Sequence, residues 1–339
     1  MQKYFLGVDG GNTKTDYLLC TVEGEFVDVY RAGTCSHEHF ENSYDGMEQA
    51  VREQLAVLLD RNNIAVDDIA SAGFGLAGAD LPSQYVELKK KVEAIGFKQY
   101  GLANDGILGI KGASDSGVGL CVVNGTGTVV LGIDQKGDIL QVGGVGPLSC
   151  DFAGGTFIRD QIMTKLYQFY YRCGESSIMF EPILQLLDTK QEDLLTVVSD
   201  WNHLNKHTVE IIQLAANAAL SDDAVAKKIF DDVGENIGQG AAGCINRLSF
   251  SDTVDVVLVG SIWHKVPYEG MLKTFVATTE AFSSKKCNPI KLEAPSAVGG
   301  VLWAKEIADG CLVPANYRKN LIEAISMEKY EAKTGRKIN

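Results

Sequence analysis

Asp9 ends an apolar run, Tyr4-Phe5-Leu6-Gly7-Val8, and is followed at once by Gly10, Gly11, Asn12, Thr13 and Lys14. A carboxylate at a strand end can hold a hard cation, directly or through water. Paired glycines let a backbone come close to a ligand, and turn N–H groups can point at an anion. Hydroxyls and one ammonium add further donors to the same turn. A cation holder beside an anion cradle points to a magnesium–nucleotide phosphate site. The competing explanation is an ordinary glycine hairpin, because a single turn of this kind is a weak motif. A second turn of like chemistry, Asn124-Gly125-Thr126-Gly127-Thr128, follows the apolar run 118–123. Asn104-Asp105-Gly106 places another carboxylate after a short apolar stretch; on its own, N-D-G is a common turn.

The elements that must carry these residues repeat. Strands at 4–8, 17–20 and 26–32 are joined by the glycine turn and by Glu23-Gly24-Glu25. Strands at 118–123, 129–133 and 138–142 are joined by the second glycine turn and by Asp134-Gln135-Lys136-Gly137. This is a repeat of architecture with little residue identity. Two facing hairpins can grip one polyphosphate from both sides, and chance produces one such hairpin far more easily than two. Between the repeats, apolar spacing predicts helices over 43–61 and 81–95 and short strands over 69–76 and 100–103. From Thr156 the chain reads mostly helical, over 156–172, 182–187, 192–201, 209–220 and 223–248. The last of these carries Gly234, Gly238, Gly240 and Gly243. Each glycine costs about 1 kcal/mol against alanine in a helix, so close packing or ligand approach must offset them. A buried-type strand over 255–259 enters a helix through Gly260-Ser261, followed by a strand over 289–293, a helix over 297–308 and a charged, solvated helix over 319–333.

Composition bounds the function. At 339 residues the chain is long for one core, so two domains are expected. A net charge of −13 disfavours nonspecific nucleic-acid binding, which needs basic surface. None of the eight cysteines forms C-x-x-C, and several sit in apolar runs, which fits reduced thiols in the cytoplasm. No signal peptide opens the chain, and no apolar run reaches membrane-spanning length. There is no Walker-type G-x-x-x-x-G-K-[ST], and Gly125-x-Gly127 leads into a strand, which argues against a Rossmann dinucleotide site. His37-Glu38-His39 lacks metalloprotease spacing and reads as a surface loop.

GVDGGNTKTDYLL at 7–19, NDG at 104–106, VVNGTGTVVLG at 122–132 and VVLVGS at 256–261, in this order, resemble the actin-like ATPase and sugar-kinase superfamily. More narrowly, the chain resembles the BadF/BadG/BcrA/BcrD ATPase family on its N-acetylglucosamine kinase-like branch. The resemblance implies an α/β fold of two ribonuclease-H-like domains, 1–115 and 116–310, the second with helical insertions. ATP and Mg²⁺ are implied in the cleft between them, and the charged helix of 311–339 would pack back on the first domain. By the same resemblance, Asp9 holds Mg²⁺ through water, and Gly10, Gly11, Asn12, Thr13 and Lys14 form the first phosphate loop. Gly125, Thr126, Gly127 and Thr128 form the second, and Gly260 and Ser261 lie beside the adenosine. Asp105 is the implied general base. Ser36, His37, Gly78, Asp105 and Asp151 fall where the family contacts the sugar.

Departures from the branch fall on the acceptor side. Phe152 and Ala153 stand where it has Glu and Gly, Val145 where it has Trp, and Cys35 or Ser36 where it has Asn. The expected activity is transfer of the γ-phosphoryl group of ATP to a hydroxyl of a small sugar, N-acetylglucosamine or a related amino sugar. The partners expected are that sugar and, by family analogy, a second copy of the chain in a homodimer, with no nucleic acid and no membrane. Two alternatives remain. Activators of acyl-CoA dehydratases in the same family hold an iron–sulfur cluster with paired cysteines, but Cys121 and Cys150 have no partner nearby in sequence. A sensor that binds nucleotide or sugar without transfer would not need Asp9, Lys14 and Asp105 together.

Overall fold

The structure is a computed structural model that describes residues 2–292, 294–325 and 327–335. Strands β1 (Tyr4–Gly10), β2 (Lys14–Thr21) and β3 (Phe26–Gly33) are followed by α1 (Tyr44–Asn62), β4 (Ile69–Leu76), α2 (Pro82–Ile95), β5 (Tyr100–Ala103) and α3 (Gly106–Ala113). Strands β6 (Gly119–Asn124), β7 (Thr128–Ile133) and β8 (Ile139–Gly143) open the second half. A helical block follows: α4 (Gly154–Tyr171), α5 (Phe180–Leu186), α6 (Leu194–Ser199), α7 (Trp201–Lys206), α8 (Thr208–Leu220) and α9 (Ala224–Ile245). The remainder is β9 (Thr253–Val259), α10 (Ser261–Lys265), α11 (Gly270–Ser283), β10 (Lys286–Lys291), α12 (Ser296–Asp309), α13 (Ala315–Ala324) and α14 (Met327–Thr334).

The repeat in the sequence is a repeat of topology. One five-stranded sheet has the order β3-β2-β1-β4-β5, and the other, read from its matching edge, β8-β7-β6-β9-β10. In both, the first strand pairs antiparallel with its hairpin partner and parallel with the strand that follows the first crossover. This register brings each glycine turn to the end of its sheet where the central parallel strands also end. Asp9 pairs with Asp16 across the first hairpin and with Gly75 of β4, while Val123 pairs with Val129 and Val259 in the second sheet.

Two helices form the seam between the sheets. Residues Ala297 to Ala304 of α12 are buried throughout. Gly7 and Gly73 let this helix approach β1 and β4, since a Cβ on Gly7 would come within 2.8 Å of the Val301 nitrogen and one on Gly73 within 2.9 Å of the Gly300 Cα. On its other side α12 meets α3, where a Cβ on Gly299 would overlap the Leu108 carbonyl. Helix α3 in turn packs Ile107, Leu108 and Ile110 with Cys121, Leu131 and Ile133 of the second sheet. The outer face of the first sheet is covered by α1 and α2, and that of the second by the helical block. Leu321, Ile325 and Tyr330 pack with Phe5, Leu18, Cys20 and Val29 of the first sheet. No helix among the described residues is long and apolar enough to cross a membrane.

The structure departs from the sequence reading in several places. Residues 106–113, which the sequence reading left without an element beyond the turn at Asn104-Asp105-Gly106, form α3; its three glycines mimic a loop, yet nearly every residue in it is buried. The single charged helix expected over 319–333 is two, α13 and α14. The late strand begins three residues earlier than expected, and Pro289 is tolerated in it because β10 lies at a sheet edge; Glu293 lies outside the described residues. Of the glycines in α9, Gly234 and Gly238 meet the backbone of α11 at Met271 and Phe275, so close packing accounts for these two. Gly240 has only ordinary contacts, and a Cβ on Gly243 would meet open space.

Candidate active site

The first hairpin turn is closed by the Gly11 N–H donating to the Lys14 carbonyl at 2.9 Å. Beside it, Asp16 is buried and binds Arg31 in a two-pronged ion pair, at 2.6 Å to Nε and 2.7 Å to Nη2, and accepts from Lys14 Nζ at 2.9 Å. Burial would raise the Asp16 carboxyl, but these two cations outweigh it and hold the group below the usual range. Asp9 across the strand is in the opposite state. Burial, reinforced by Asp105, pushes it up to about 7, against a weaker pull from Lys14. Both nearby cations are bonded to Asp16, so Asp9 is a half-buried carboxyl with an unmet demand for positive charge. Asp9, Lys14 and Asp16 share a cavity of about 220 Å³ with Gly260, Ser261, His264, Leu292, Ala294, Pro295 and Ser296.

The second turn is bound to the start of α4. The Gly155 and Thr156 N–H groups donate to the carbonyls of Gly125 and Thr126 at 2.7 and 3.2 Å, and Gly154 N–H donates to Asn124 Oδ1 at 2.9 Å. Gly260, with φ of 107°, lies so close that a Cβ there would sit 2.6 Å from the Asn124 carbonyl carbon. By contrast, Gly125 and Gly127 have nothing within 4 Å of a Cβ position, so their backbone is open on the cleft side. Asn124 Nδ2 is buried without a hydrogen-bond partner.

A larger cavity, about 520 Å³, joins the two halves. It is lined by Asn12 of the first turn, Gly125 to Thr128 of the second, Gly78, and Asp105 at the head of α3. Burial, then the charge of Asp80, raises the Asp105 carboxyl to about 6. Asp80 Oδ1 accepts from Asn104 Nδ2 at 2.7 Å and from Gln141 Nε2 of β8 at 3.0 Å, tying the two sheets together across the cavity. Glu38 and Gln84 also line it.

The sequence matches the BadF/BadG/BcrA/BcrD ATPase family over residues 6–304. The chain belongs to this family. It is 20% identical over 312 residues to the N-acetylmuramic acid/N-acetylglucosamine kinase of Clostridium acetobutylicum, covering 91% of this chain and 100% of that protein. It is 26% identical over 210 residues to the N-acetyl-D-glucosamine kinase of Dictyostelium discoideum, covering 59% of this chain and 65% of the relative, just under two thirds of its length. A solved structure from Chromobacterium violaceum, provisionally named an N-acetylglucosamine kinase, superposes with a TM-score of 0.60 at 20% identity, over 89% of this chain and 99% of that one. This likeness shows the fold, that of two-domain sugar kinases in the actin-like ATPase group.

In this member of the BadF/BadG/BcrA/BcrD ATPase family, the residues singled out from sequence fall in five places. Asp9, Lys14, Gly260 and Ser261 meet in the smaller cavity. Asn12, Gly78, Asp105, Gly125, Thr126, Gly127 and Thr128 meet in the larger. Gly10, Gly11 and Thr13 shape or flank the first turn. Ser36 and His37 do not line the larger cavity; they are buried behind Gly78, with His37 stacked on Tyr44 at 4.3 Å between ring centroids, and Glu38 reaches the cavity instead. Asp151 is bound to its own loop, accepting from Gly144 N–H at 2.9 Å, Gly146 N–H at 2.5 Å and Ser149 Oγ at 2.8 Å. It lines a separate cavity of about 300 Å³ with Ser149, Asn236 and Gln239. Sequence reasoning missed Asp16, Asp80, Gln84 and Gln141. Asp16 had a signal, a second carboxylate on the hairpin that carries Asp9; Gln141 had none, since its partner lies 61 residues away.

Proposed function

We propose that the chain is an ATP-dependent kinase that phosphorylates a hydroxyl of a small sugar, an amino sugar of the N-acetylglucosamine type. The observation that carries this reading is the cavity that places both glycine turns and a raised carboxyl, Asp105, around one space. Phosphoryl transfer needs mainly positioning and charge stabilisation, and the two glycine turns that line this cavity can provide the positioning. The names of the two curated kinases agree with it.

The residues fit nucleotide and metal. Gly10 to Lys14 and Gly125 to Thr128 receive the phosphates, and Gly260 and Ser261 flank the adenosine. Asp9, pushed up by burial and by Asp105, would hold Mg²⁺ through water. Mg²⁺ held there would neutralise phosphate charge. Asp105 accepts the proton of the acceptor hydroxyl; its raised pKa, about 6, leaves it mainly ionised at neutral pH yet basic enough to take that proton. Gly78 borders the acceptor, with Ser36 and His37 supporting that wall from behind. Asp151 acts on the acceptor only by shaping the loop that carries Gly144 and Val145. The proposed domain division, 1–115 and 116–310 with 311–339 beyond, puts the cleft between the two glycine turns. Mass spectrometry of N-acetylglucosamine incubated with enzyme and MgATP tests the reading: a sugar phosphate is expected, and intact sugar with ATP bound would refute it.

A further inference from the structure

Glu38, Asp80 and Asp105 line the larger cavity, and among the described residues no lysine, arginine or histidine does. The partners that Asp80 holds, Asn104 and Gln141, are neutral amides. Lys14, the cation of the first turn, is bonded to Asp16 and faces the smaller cavity. The influences on Asp105 agree: after burial, the next is the like charge of Asp80, and no cation is among them. The nearby cations, Lys14 and Arg31, are thus both bonded to Asp16 beside the smaller cavity, while the charged side chains of the larger one are carboxylates alone.

The wall at Gly78 is backed by two unpartnered polar atoms. Ser36 Oγ and His37 Nδ1 are buried with no hydrogen-bond partner. They lie 3.6 and 2.8 Å from where a Cβ on Gly78 would stand, and Gly78 lines the cavity. Buried polar atoms without partners are rare in folded proteins; these two stand behind Gly78, which alone of the three residues faces the cavity.

We propose that the acceptor is a sugar without an anionic substituent, and that Glu38 and Asp80 set this preference by repelling carboxylate- and phosphate-bearing sugars. The inference rests on the kinase reading and narrows it. Neutral sugar hydroxyls can donate to these carboxylates, and an ammonium group would be attracted by them. A like charge in a cleft walled by protein is penalised more than in open solvent.

The test compares kcat/KM for N-acetylglucosamine, N-acetylmuramic acid and the methyl ester of N-acetylmuramic acid. The acid and the ester have nearly the same bulk and differ in charge. Wild type is expected to prefer N-acetylglucosamine over the acid by about tenfold or more, a difference of about 1.4 kcal/mol, and to use the ester better than the acid. Glu38→Gln and Asp80→Asn are expected to narrow the acid-to-ester gap about threefold each, and raised salt to narrow it in wild type, because the repulsion is screened. The proposal is overturned if the acid is used as well as the ester, or if the gap is unmoved by Glu38→Gln and by salt, which would mark a steric cause. Turnover of N-acetylglucosamine with no charge discrimination sinks this proposal alone; no turnover of any sugar sinks the kinase reading as well.

Discussion

Three carboxyls, Asp9, Asp16 and Asp105, sit within one cleft in three electrostatic states. Asp16 is held low by Arg31 and Lys14, Asp105 is raised to about 6, and Asp9 to about 7. Two predictions follow from the raised pair. Activity should fall as pH drops through about 6, when Asp105 takes up a proton. Asp80→Asn removes a charge that raises this group, so the acid limb of the kcat/KM profile should move to lower pH; an unmoved limb would mean that another group is the base. For Asp9 the sign follows from linkage. A folded carboxyl raised above its unfolded value stabilises below about 3.8, and that contribution is lost as pH rises to about 7. Nucleotide-free protein should therefore lose stability across this window. Asp9→Asn, measured by thermal melting at pH 8, should melt a few degrees above wild type while losing turnover, the trade between stability and function common at strained sites.

At the scale of elements, glycines decide where helices can lie. Helix α12 reaches the first sheet through Gly7 and Gly73, and α3 through Gly299. A Cβ on Gly299 would stand 2.9 Å from the Gly112 nitrogen as well as overlapping the Leu108 carbonyl. Gly299→Ala should then cost about 1–3 kcal/mol in denaturant unfolding, far more than an exposed helix position, where alanine is favoured over glycine. These elements differed in how legible they were. The hairpins could be read because period-two apolar runs and glycine turns are local signals. Helix α3 could not, because a helix buried on all sides carries no amphipathic stripe, and its glycines serve packing against α12 and β6. The role of Asp151 was hidden for a related reason. It depends on Gly143, Gly144 and Gly146 adopting positive φ, which exposes N–H groups to the carboxylate.

The whole molecule is one topology used twice, with α3 and α12 between the copies. The doubling was visible in the sequence because both glycine turns recur at the same place in a strand pattern. The acceptor side was not, because Asp80 and Gln141 meet only when the two sheets face each other. Residues of both glycine turns meet in the two cavities, whereas of those implied at the sugar only Gly78 and Asp105 line the larger one; Glu38 lines it too, and Ser36 and His37 stand behind it. We propose that this shared space transfers phosphate to a sugar with Asp105 as base. ADP release from MgATP across glucose, glucosamine, N-acetylglucosamine, N-acetylmannosamine and N-acetylmuramic acid, for wild type beside Asp105→Ala, tests it most directly. Stimulation by at least one neutral or amino sugar is expected, reduced about 10²–10⁴-fold in Asp105→Ala while ATP still binds. Stimulation that survives in Asp105→Ala, or tight ATP binding with no stimulation by any sugar, would contradict it.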